Sequence, residues 1–119
     1  LKELVSGLDQ TVSKLKGVAQ YVGENARSEK IMSTYANAQP FLDVTGDTIM
    51  AWMMLWRAVE ATQKLDQNPK KKDMEFYEGQ LKSAQFFIQN ILPVSRGKMD
   101  VILANDTAAT DISEAAFGG

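Results

Sequence analysis

Ile49-Met50-Ala51-Trp52-Met53-Met54-Leu55-Trp56 is a run of eight apolar residues. Met, Ala and Leu are strong helix formers, and nothing in the run breaks a helix. The run extends through Ala58, Val59, Ala61 and Leu65, so the spacing predicts a helix from about Phe41 to Leu65. Eight consecutive apolar residues occupy every side of about two turns, and a helix apolar all round calls for cover all round. Trp52 and Trp56, at i and i+4, share one side and form a large apolar surface. Two readings stay open: this is the central helix of the domain, or part of it packs against material outside this chain. Trp52, Met53 and Trp56 are candidate interface residues on either reading.

Upstream, Leu1, Leu4, Val5, Leu8, Val12, Leu15, Val18, Ala19 and Val22 recur at spacings of three and four. They predict a helix over 1–22, with Gly23 as its stop. Gly7 and Gly17 fall inside it, which points to close packing or local irregularity there. Glu24 and Asn25 can cap a further helix over Ala26 to Ala38. Pro40 disfavours helical dihedrals at Gln39, so the chain kinks there or restarts with Pro40 in the next first turn.

Downstream, Asp66 to Asp73 reads as a polar loop with an Asn68-Pro69 turn. Lys70, Lys71 and Lys72 belong to its solvated face. Asp73 is a good N-cap for a helix striped by Tyr77, Leu81, Ala84, Ile88 and Ile91. Phe76, Tyr77 and Phe86 add candidate interface aromatics, and small Gly79 and Ala84 predict that another helix backbone approaches. Pro93 should kink or divide this helix, which resumes as Met99, Ile102 and Leu103 and ends at Asn105-Asp106. In the tail, Phe117 is a candidate final anchor. No period-two alternation of useful length occurs. The pattern is all-α, an up-and-down bundle of three to four helices in one domain over 1–119, with kinks near Pro40 and Pro93.

Composition removes whole classes of chemistry. The 119 residues contain no Cys and no His, which excludes disulfides, zinc knuckles, thiol nucleophiles, catalytic triads and an imidazole base. A net charge of −2 argues against a dedicated nucleic-acid surface. No apolar run approaches the ~20 residues that span a bilayer. Asp43 and Asp47 stand at i and i+4, consistent with placement near a helix N-terminus, and Asp43-Thr45-Gly46-Asp47 lacks the terminal Glu of a calcium loop. Glu60 and Lys64 form an i,i+4 ion pair on the same pattern. No catalytic, cofactor-binding or metal-binding residue emerges. The N-terminus begins mid-pattern without an initiator Met, so the chain reads as a piece of something longer.

The stretch from Asp73 onward carries Phe76-Tyr77, Gly79, Leu81, Ala84, Phe86-Phe87 and Leu92-Pro93 in order. Upstream stand Phe41-Leu42, Gly46 and Ala51-Trp52, and the tail holds Ala116-Phe117. This order and spacing resembles the helical segment at the C-terminus of bacterial acyl-CoA dehydrogenases, in the subgroup similar to methylthiopropanoyl-CoA dehydrogenase. Gln80 and Gln85 depart from that pattern, where the family carries basic residues. The resemblance implies a parent enzyme that uses FAD to make an α,β-double bond in an acyl-CoA, with base and flavin pocket in upstream domains. It implies a non-catalytic role for this chain: packing on the catalytic domains of the same enzyme, or building a homo-oligomer, in the cytoplasm. The competing readings are a stand-alone helical interaction or dimerisation module and a small-ligand binder with a Met/Trp-lined cavity.

Overall fold

A computed structural model describes residues 1–118. They form six α-helices and one π-turn, with no strand among the described residues: α1 Lys2–Ala26, α2 Ile31–Ala36, α3 Ala38–Leu65, α4 Lys71–Phe86, the π-turn Phe87–Ile91, α5 Leu92–Ala104 and α6 Ala108–Asp111. The all-α expectation holds. α1, α3 and the α4–α5 rod are the three long members and run up, down and up.

The helix boundaries follow local chemistry. Gly23 does not stop α1, which continues to Ala26 and leaves Glu24 and Asn25 in its last turn. A helix over Ala26 to Ala38 does not form, and only α2 remains of it. The Ser28 hydroxyl donates to the Asn25 carbonyl and accepts the Lys30 N–H, so a side chain competes with the helical ladder at that point. The chain restarts at Ala38 with Pro40 in the first turn of α3, where its missing donor costs nothing. α4 begins at Lys71, one turn's edge earlier than Asp73, which lies in the first turn without capping it. Asn68 takes φ 51°, as its turn requires. Pro93 divides the last long helix through the π-turn that precedes α5. Wider π geometry displaces the carbonyl that a proline ring would strike in a regular α-helix. Asn105, at φ 50° and ψ 52°, ends α5 in the left-handed conformation.

Two apolar clusters hold the three rods. Leu4 and Leu8 of α1 meet Ala51 and Leu55 of α3, Ile88 of the π-turn and Leu92 of α5. Val18 of α1 meets Val44 of α3 and Met99 and Ile102 of α5. Ascending α1 therefore descends α3 and ascends α5. Polar ties fix this register. The Arg96 guanidinium donates to the buried Thr11 hydroxyl at 3.0 Å, and the Ser95 hydroxyl donates to Asp47 at 2.8 Å. Asp43 and Asp47 thus join α3 to α5, with Lys98 3.8 Å from Asp43, and Lys14 pairs with Asp100 across α1 and α5. The Glu60–Lys64 pair does not form among the described residues.

Beyond Leu4 and Ile88 the third rod is missing. The C-terminal half of α3 and most of α4 continue as a two-helix hairpin, with Ala58, Ala61 and Ala84 buried. The outline is 66 × 30 × 17 Å and the radius of gyration 19.3 Å. A compact chain of this length would have about 13.5 Å, and 17 Å is less than two helix diameters of about 10–12 Å. The molecule is a thin slab, so most helices have cover on one side only.

Candidate functional site

α3 carries two apolar faces. At 100° per residue, Val44, Thr48, Ala51, Leu55 and Ala58 fall on one stripe, and all are buried. Leu42, Gly46, Ile49, Met53 and Trp56 fall on the opposite side at spacings of 4, 3, 4 and 3, and all are exposed. That is the alternation of a helix–helix packing seam. Gly46 has open space where a Cβ would stand, with nothing within 4 Å. Trp52 is 55% and Trp56 59% exposed, with ring centroids 5.9 Å apart. Half of two indoles at about 150–250 Å² each leaves roughly 150–250 Å² uncovered, before Ile49 and Met53 are added. The sum reaches the few hundred Å² that mark an interaction surface.

Of the two readings left open, α3 is the central helix on one face, and its other face is left uncovered by this chain. α1, α4 and α5 cover one face of α3, because a slab of this thickness has no helix to place over the other. The signal was in the sequence, in the Leu42-Gly46-Ile49-Met53-Trp56 spacing, but the buried stripe interleaves with it and the two read together as an undivided run.

The aromatic face continues onto α4. Trp56, Ala61, Phe76 and Tyr77 line a shallow depression of about 380 Å³, rimmed by Arg57, Glu60, Lys64 and Gln80. Phe76 and Tyr77 stack edge to face at 5.5 Å. Phe86 is exposed at the end of α4, away from these rings in sequence by nine residues or more, and Phe117 is 79% exposed in the tail. Phe117 does not dock on the bundle. Trp52, Met53, Trp56, Phe76 and Tyr77 thus lie on adjoining surface of the α3–α4 pair.

Glycines divide in an unexpected way. At Gly7 a Cβ would stand 3.0 Å from Ile88 Cγ2, so any side chain there makes Ile88 shift. Gly17 and Gly79 have nothing within 4 Å. The close approach expected at Gly79 does not occur among the described residues; Ala84 alone is buried there.

No group of three His, Cys, Asp or Glu that could hold a metal ion occurs among the described residues. Ser95 and Arg96, which sequence reading passed over, are buried or half-buried partners of Asp47 and Thr11 and act as packing ties. A large groove of about 920 Å³ between α1 and α4 is lined by Glu3, Glu75 and Glu78 against Lys2 and Lys82. An excess of carboxylates does not suit the pyrophosphate of FAD, and no flavin step is assigned to these residues. No described helix is long and apolar enough to cross a membrane.

Comparison with known proteins agrees with this architecture. The family described as acetyl-CoA dehydrogenase C-terminal like matches residues 1–113. The broad-specificity linear acyl-CoA dehydrogenase FadE5 of Mycobacterium tuberculosis is 35% identical over 77 residues, covering 65% of this chain and 13% of that protein. An all-helical slab whose match reaches nearly end to end, and which corresponds to a small part of a much longer dehydrogenase, belongs to the acetyl-CoA dehydrogenase C-terminal-like domain family.

Proposed function

We propose that this chain is the non-catalytic C-terminal domain of an FAD-dependent acyl-CoA dehydrogenase, of the subgroup similar to methylthiopropanoyl-CoA dehydrogenase. Its work is to pack against the catalytic domains of the same enzyme or to join subunits of a homo-oligomer, in the cytoplasm. The observation that carries this reading is the second apolar seam of α3, Leu42-Gly46-Ile49-Met53-Trp56, exposed along about 21 Å of helix. A seam with 3–4 spacing and a glycine without neighbours suits a helix as its counterpart, and the adjoining Phe76 and Tyr77 widen the contact. The base and the flavin pocket lie elsewhere in the parent.

Met53→Glu in the full-length enzyme is the test. A carboxylate in the middle of a desolvated seam carries a penalty of several kcal/mol. We expect a lower melting temperature or a smaller assembly in size-exclusion chromatography, with flavin still bound. Unchanged melting and unchanged assembly would remove the seam from any interface. Acyl-CoA oxidation by this chain alone would overturn the non-catalytic assignment.

A further inference from the structure

The groove between α1 and α4 runs along one side of both helices. Glu75, Glu78, Lys82 and Gln85 line it at spacings of 3, 4 and 3, so they form a single flank of α4, which Gln89 of the π-turn continues. Leu1 and Leu4 stand at its inner end. The packing clusters fix direction: moving from Val18 toward Leu4 on α1 moves from Met99 toward Ile88 on the facing rod. A line continued along α1 past Leu1 therefore passes over Gln85, Lys82, Glu78 and Glu75. The Leu1 carbonyl accepts the Val5 N–H at 2.9 Å and so begins the ladder of α1. Gly79 borders the same groove with nothing within 4 Å. Two-helix support is all that the α3–α4 hairpin has in this region.

We infer that the groove seats the segment of the parent chain that leads into Leu1, continuing α1 as a helix along α4 over Gly79. This rests on the reading that a longer dehydrogenase chain precedes Leu1. From the level of Gln85 to that of Glu75 is about 15 Å, or roughly ten residues of helix. The seated segment turns the hairpin into a three-helix bundle along its whole length and ties the domain rigidly to what precedes it. Glu75 and Glu78 dominate the far end of the groove, so the face that the segment turns to α4 carries Lys or Arg there.

Gly79→Leu in the full-length protein gives opposite signs for the two cases. In an open groove Leu is the better helix former and raises the melting temperature. In a filled groove it overpacks and lowers it, by several °C for a domain of this size. A second measurement guards against a variant that fails to fold. Gly79→Cys is paired with single cysteines at each of the ten positions before Leu1, and oxidation is followed by gel shift. Cross-links at positions three or four apart are expected. A raised melting temperature, or cross-links at no position or at all alike, overturns the inference. Flavin content of the same preparation reads the dehydrogenase assignment separately: a flavin-free protein that still cross-links with helical spacing defeats that assignment and keeps the groove's occupant.

Discussion

Gly7 and Gly17 lie on the same helix, and in sequence they are indistinguishable. Ile88 approaches one of them to 3.0 Å of where a Cβ would be, and nothing approaches the other. Gly17→Ala should stabilise the domain by up to about 1 kcal/mol, because the helix is regular and the site open. Gly7→Val should cost about 1–3 kcal/mol, since its methyls drive Ile88 out of the cluster shared by Leu4, Leu55 and Leu92. Urea midpoints of the two variants check the pair, and equal shifts would contradict the geometry. Residue type alone marked both as sites of close packing or local irregularity, since glycine identity reports tolerance and not which neighbour arrives.

Pro93 marks a divide that sequence reading places correctly, but its form is set by the wide turn Phe87–Ile91. A π-turn carries one residue more than the α-turns around it. Deleting Asn90, which is exposed, keeps the inward faces of α4 and α5 in place and restores α geometry in front of the proline. The ring then meets a helical carbonyl, at a cost of about 3 kcal/mol. Pro93→Ala in the deleted background should recover most of that loss, while Pro93→Ala alone should change stability by less than about 1 kcal/mol. Circular dichroism melts of the three variants test the coupling, and additive effects would refute it. On α3, period and composition announce the helix and its length. They do not separate its two faces, because a stripe facing a neighbour and a stripe facing solvent have the same chemistry until the neighbour is placed.

The slab outline connects these elements to function. With a 17 Å short axis, α3 has no second layer over Ile49, Met53 and Trp56, and those side chains stay exposed. Freed from the rest of its parent, the chain should bind an environment-sensitive apolar dye and elute above its 13.2 kDa. Met53→Glu combined with Trp56→Glu should reduce both signals several-fold. A monodisperse monomer that leaves the dye dark would mean that the seam is too small or too polar to drive association.

The sequence by itself determined the three long helical segments, the breaks at Asn68-Pro69, Pro93 and Asn105, and the absence of Cys and His chemistry. These are local matters of period, backbone dihedrals and side-chain inventory, and each is settled within a few residues. Tertiary structure alone decided which glycine is crowded and which stripe of α3 is buried. Those depend on contacts between residues such as Gly7 and Ile88, or Thr11 and Arg96, that lie some eighty positions apart. No spacing rule reaches across that distance, because burial is a property of the neighbours a side chain meets and not of the side chain.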